Sequence, residues 1–141
     1  MASAPKDADA NYLYQLYTIS LARFDNQEAA RYISLWADLD TANILWQNDA
    51  GRFLHQHMAD YNGALAYFER ALKATLTMYG DQSDWVATLY NNIALFYAHQ
   101  GDKATALDYY NRALEIYVQL YGDDDARTQL VRNNISKLAE Y

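Results

Sequence analysis

The chain repeats itself at a fixed spacing, which constrains the fold more than any other feature of its 141 residues. Asp60-Tyr61-Asn62-Gly63-Ala64-Leu65-Ala66-Tyr67-Phe68-Glu69-Arg70-Ala71-Leu72 returns 42 residues later as Asp102-Lys103-Ala104-Thr105-Ala106-Leu107-Asp108-Tyr109-Tyr110-Asn111-Arg112-Ala113-Leu114. The offset continues through Tyr79-Gly80-Asp81 and Tyr121-Gly122-Asp123. It also pairs Leu89-Tyr90-Asn91-Asn92-Ile93 with Val131-Arg132-Asn133-Asn134-Ile135. A fainter echo, 35 residues apart, sets Ala29 against Ala64 and Tyr32 against Tyr67. Self-similarity at such a period marks a solenoid, in which each unit has an apolar face that only a neighbour can cover.

Within a unit the period is helical. Ile93, Ala94 and Tyr97 share one face, as do Ala106, Tyr110 and Ala113. Gly101-Asp102 breaks a helix pair, and Gly80 and Gly122 stand where helices stop with a residue at positive φ. Asp84, and either Asp124 or Asp125, suit N-caps, because a carboxylate there accepts first-turn N–H groups. These signals predict seven helices over 11–23, 27–38, 41–57, 61–79, 84–99, 103–121 and 125–139. A single proline and five glycines leave such helices uninterrupted. Fourteen tyrosines against four phenylalanines suit thin layers, where a ring packs while its hydroxyl reaches the rim.

These residues resemble the tetratricopeptide repeat, an antiparallel helix pair with small residues at the crossing and large ones beside it. Over 90–113, Tyr90, Ile93 and Tyr97 look like the large positions of the first helix, A, and Ala94 like the small one. Gly101 matches the turn, and Ala106, Tyr110 and Ala113 match the small-large-small set of the second helix, B. Helices approach to about 8–10 Å only where side chains are small. The 42-residue spacing, the doubled Asn and the ending Ala113-Leu114-Glu115-Ile116-Tyr117-Val118-Gln119-Leu120-Tyr121-Gly122 look like the kinesin-light-chain type. The resemblance implies an all-α, right-handed superhelix of antiparallel helix pairs. The small, polar segment 1–10 reads as a flexible leader, and the resemblance makes 11–141 one domain, with repeats at 11–40, 41–83 and 84–124 and a capping helix at 125–140. Departures exist. The family's proline after helix B is absent throughout, and the helix before Asp60 fits only with one residue inserted, which brings Gly51 to the small position, Leu54 to the large one and Asn48 into line with Asn91. The unpaired last helix fits a terminal cap, with Arg132 and Lys137 outward, and equally a cut from a longer array.

In the resembled family the concave face, lined by A helices, binds peptides. The carried-over contact position holds Asn91 and Asn133, and by the slipped alignment Asn48. An amide offers donor and acceptor together, so such a ladder would pair with an extended backbone. Arg52, Thr88, Leu95 and Lys137 stand at helical spacing from these, with His99 a further candidate, and Arg52 and Lys137 would attract an acidic residue or a terminal carboxylate. The competing role for the Asn pairs is to satisfy neighbouring backbone. Tyr97, Tyr109, Tyr110 and Tyr117 read as packing residues.

Other chemistry is poorly supported. Eleven basic against eighteen acidic residues, net −7, argue against nucleic-acid or anionic-membrane partners, which need a cationic surface. The absence of cysteine excludes disulfides and thiol chemistry. His55 and His57 are two apart, about 200° around a helix, which is wrong for one metal, and with His99 they read as surface or groove residues. Asp123-Asp124-Asp125 lacks an EF-hand's spacing and reads as an acidic helix start. Asp38 and Asp40 read as helix-end polar residues. No phosphate loop or nucleophile elbow occurs, so no enzyme, cofactor or metal is expected. No signal peptide or stretch of roughly 18–20 apolar residues is visible, and a soluble, cytoplasmic protein is expected. The functions to weigh are a protein- or peptide-binding scaffold or adaptor, a self-associating array segment joined through terminal helices, and a regulatory domain of a larger protein.

Overall fold

The computed structural model describes residues 5–141, with 5–8 as backbone alone. Among these the chain forms α1 (Pro5–Ala22), α2 (Asn26–Asp38), α3 (Ile44–His57), α4 (Tyr61–Tyr79), α5 (Asp84–His99), α6 (Lys103–Tyr121) and α7 (Ala126–Lys137), closed by a 3-10 turn, Leu138–Glu140. The 42-residue offset reappears in the geometry: α4 and α6 begin 42 apart, as do α5 and α7. Helix α1 starts earlier than expected, so 5–10 of the expected leader are helical. Pro5 sits in the first turn, where its missing N–H costs nothing, and Ala10 is buried. Residues 1–4 lie outside the described residues. The described residues pack as two compact units, the first ending at Ala74 and the second running from Thr75 to Tyr141.

One turn is built three times. Phe24, Ala59 and Gly101 take the left-handed conformation, at φ 57°, 51° and 84°. Each is followed by an Asp whose carboxylate caps the next helix. Glu28 N–H donates to Asp25 Oδ1, Gly63 N–H to Asp60 Oδ1 and Thr105 N–H to Asp102 Oδ1, all at 3.1 Å. Asp25 N–H and Asp102 N–H reach back five residues, to Ser20 O and Tyr97 O, the closure of a Schellman turn. Asp60 N–H reaches back six, to Leu54 O at 3.2 Å. The extra residue lies in this turn, so Leu54 corresponds to Tyr97 and, counting back, Gly51 to Ala94 and Asn48 to Asn91. The N-cap of α5 is Ser83 rather than Asp84, its Oγ accepting from Val86 N–H at 3.2 Å. Asp84 instead occupies the first turn, where the helix dipole favours it. Of the two candidates before α7, Asp125 is the cap.

Small residues mark the crossings. Ala29, Ala64 and Ala106 are fully buried at equivalent places, as are Ala71, Ala94 and Ala113. At Gly51 even a methyl group would lie 2.8 Å from the Phe68 ring, so α3 approaches α4 more closely than alanine permits. In the first unit Gln47 Nε2 donates to Ala37 O at 2.7 Å and Asp40 O at 2.9 Å, a second bond to each of two carbonyls, at and just past the end of α2, that already accept a backbone N–H. Its Oε1 is buried with no partner. Asp38 does more than finish a helix: it accepts from Tyr67 Oη at 2.9 Å and from Arg70 at 2.7 Å, tying α2 to α4. In the second unit Tyr110, Ile116, Tyr117, Val131 and Leu138 fill the core, and Tyr97 and Tyr109 stack in parallel at 5.9 Å, half-buried.

Candidate functional site

In the second unit α5 and α7 both pack on α6, and three polar ties, each spanning one repeat, hold them in register. Arg127 reaches Asp84 at 3.4 Å, Asn134 Nδ2 donates to Asn91 Oδ1 at 3.0 Å, and the Tyr141 hydroxyl lies 3.3 Å from His99 Nε2. Across the repeat Asn91 is bonded by Asn134, the chain neighbour of Asn133. Asn134 fills the position one residue on, and only its reach across the repeat shows which of the doubled amides makes the bond. Asn91 is half-buried with its acceptor engaged, and its Nδ2 has no partner among the described residues. Asn133 and Lys137, one turn apart on α7, are exposed, and neither has a partner among the described residues. Leu95 is half-buried on α5. Thr88 is committed inward, its hydroxyl 2.8 Å from that of the buried Tyr117. The remaining outward side chains of α7, including Arg132, are polar except Ala126 and Leu130, the latter 52% exposed.

The first unit holds the other two candidates, and they diverge. Arg52 is exposed on α3, whereas Asn48 is only 5% exposed and so presents no open amide. The slipped alignment puts Asn48 at the ladder's position, but the packing of the first unit closes over it. Arg52 borders a cleft of about 260 Å³ that also contains Tyr14, Tyr17, Asp49, Phe53 and Gln56. Six rings run through this unit without a gap. Trp46, Trp36, Tyr14, Tyr17, Phe53 and His57 follow one another at centroid distances of 4.8, 5.3, 5.7, 5.5 and 4.8 Å. Burial pushes the Tyr17 hydroxyl above its ordinary pKa. Burial also raises the Asp49 carboxyl, against the opposing pull of the Arg52 guanidinium. The expectation for His55 needs correction, because it is buried, its ring near-edge to Tyr61 at 6.4 Å. His57 and His99 are exposed. Among the described residues no three His, Asp or Glu side chains gather as metal ligands, and no helix is long and apolar enough to cross a membrane.

The model of the tetratricopeptide repeat family matches residues 40–119 and again 85–141. No curated protein matches the sequence. Among solved structures, BtubC (BKLC) from P. vanneervenii superposes at a TM-score of 0.81 and 21% identity over 99% of this chain, which spans 59% of the BtubC chain. The N-terminal domain of stress-induced protein-1 (STI-1) from C. elegans matches at 0.70 and 17% identity, covering 98% of this chain and 99% of its own. The TPR2B domain of yeast Sti1, solved as a complex with pHsp70, matches at 0.69 and 12% identity, covering 94% and 98%. At such identities the likeness is one of fold, and that fold is the all-α repeat the 42-residue spacing implies.

Proposed function

The chain belongs to the tetratricopeptide repeat family, and on that premise we propose that it is a protein-binding module holding an extended segment of a partner along the α5–α7 face. The observation that carries this reading is the pairing of Asn133 and Lys137, exposed and unpartnered one turn apart on a helix fixed in register beside Asn91. Asn133 and the Asn91 Nδ2 serve the ligand's backbone, Lys137 takes an acidic side chain or terminal carboxylate, and Leu95 supplies apolar contact. Thr88 and Asn48 drop out of the contact set, because one is bonded to Tyr117 and the other is enclosed. A protein ligand is supported by the fold shared with the TPR2B domain of yeast Sti1, which was solved with pHsp70. Affinity is expected in the micromolar range, since ordering an extended segment costs about 2–5 kcal/mol.

The test is calorimetric titration with extended peptides ending in a carboxylate. Asn133→Ala and Lys137→Ala should each weaken binding by about five- to tenfold, the loss of one charge-assisted or amide contact. Unchanged affinity in both variants, or no peptide ligand at all, refutes the face. A second reading, self-association, has one observation in its favour: a shallow apolar groove lined by Leu107, Ile135, Leu138 and Ala139 where α6 meets the end of α7. Light scattering across a concentration series decides it. A strict monomer at high concentration removes the reading.

A further inference from the structure

The cleft of the first unit combines features that the α5–α7 face does not use. Its walls are aromatic, with Tyr14 and Tyr17 from α1 and Phe53 from α3. Inside stands Asp49, half-buried, with neither a hydrogen-bond nor an ion-pair partner among the described residues. A carboxylate taken partly out of water without a partner is unfavourable, and a cation entering the cleft would relieve that cost. The geometry points to a subsite for the arginine side chain of a partner protein, its guanidinium lying over the tyrosine rings and bonding the Asp49 carboxylate.

Size and charge both select this occupant. At about 260 Å³ the cleft falls below the roughly 300–1,000 Å³ that holds a whole small-molecule ligand, and it suits one long side chain. Arginine is preferred to lysine because its planar fork matches a carboxylate and stacks on rings, whereas an ammonium is a compact, strongly hydrated charge. Arg52, at the rim, does not already fill this role. It is exposed, it makes no ion pair with Asp49, and its pull on that carboxyl is outweighed by the effect of burial. Gln56, one turn beyond Arg52 and exposed on the same wall, supplies an amide for the ligand's backbone. The chain's net charge of −7 draws basic segments toward it.

The experiment titrates the whole chain at pH 8 with acetylated, amidated pentapeptides of glycine carrying arginine, lysine or citrulline at the centre. Fluorescence of Trp36, whose ring lies 5.3 Å from that of Tyr14, reports occupancy. The arginine peptide should bind saturably, the lysine peptide about threefold more weakly and the uncharged citrulline peptide at least about tenfold more weakly. Asn is nearly isosteric with Asp, and Asp49→Asn should reduce arginine binding about tenfold without lowering Tm. Arg52→Ala, which removes a like charge from the rim, should tighten it about twofold. Equal binding of citrulline and arginine, or no saturable binding, overturns the proposal on the unaltered protein. Asp49→Asn within twofold of wild type overturns it independently. Failure here leaves the α5–α7 reading standing, since its residues belong to the other unit and its ligand carries the opposite charge.

Discussion

Ala59 holds φ at 51° in the α3–α4 turn, where the α5–α6 turn uses Gly101 at 84°. A left-handed residue with a Cβ carries a strain of roughly 1–2 kcal/mol that glycine lacks. Ala59→Gly should therefore stabilise the chain by about 0.5–1 kcal/mol after the greater freedom of unfolded glycine is subtracted. Urea unfolding measures it, and a loss of stability would contradict the strained reading. Gln47 is a second residue-scale case. Its buried amide adds a second bond to each of two carbonyls that already accept from Asp40 N–H and Asn43 N–H, so Gln47→Ala should cost ~1–2 kcal/mol by removing two buried hydrogen bonds. Neither residue carries a legible signal. Positive φ is written in sequence mainly through glycine, and Phe24 and Ala59 adopt it because the Asp that follows must cap a helix. A glutamine's role depends on which carbonyls pass nearby, and no local pattern encodes that. The site residues divide along the same line. The repeat placed Asn48, Asn91 and Asn133 in register, but whether an amide opens to solvent is decided by packing, which encloses Asn48 and leaves Asn133 outside.

Helices were the most legible elements, because a 3.6-residue apolar stripe is local and long. The later ones, 61–79, 84–99 and 103–121, fall where periodicity and glycine stops put them. The misplaced boundaries have local causes. Helix α3 starts at Ile44 rather than 41, because Asn43 caps it through Trp46 N–H at 3.1 Å. The single inserted residue before Asp60 was legible only as a shift of the repeat, and the six-residue closure onto Leu54 gives it a place. The α3–α4 crossing offers an element-scale prediction. A Cβ at Gly51 meets the buried Phe68 ring at 2.8 Å, so Gly51→Ala should cost about 1–3 kcal/mol through overpacking. Alanine serves at the equivalent Ala94, so the penalty belongs to the Phe68 contact and not to the helix. Phe68→Leu in the same chain should recover part of it, and a Gly51→Ala protein as stable as wild type contradicts this account of the crossing.

At the scale of the molecule, buried tyrosines set the response to alkaline pH. Burial pushes the Tyr110 hydroxyl up to about 12 and raises Tyr17, Tyr67 and Tyr117 as well. The fold favours the neutral phenol, whereas an unfolded chain ionises near pH 10. Stability from these groups is thus complete below about pH 10 and is lost as pH rises toward 12. Tyr110→Phe should blunt that loss by up to ~2–3 kcal/mol at the alkaline end, which thermal unfolding at pH 8 and pH 11.5 would measure. An identical decline in both proteins would assign the alkaline transition elsewhere.

The central claim is that the α5–α7 face takes up a partner's extended segment. The most direct measurement is a ¹H–¹⁵N correlation spectrum recorded while a carboxylate-ended peptide is titrated in. The account predicts shifts at the Asn133 side-chain amide and along the backbone at Asn91, Leu95 and Lys137, with the exposed side of α6 around Glu115 and Gln119 unmoved. Shifts confined to that side of α6, or a spectrum that does not change at saturating peptide, would contradict it.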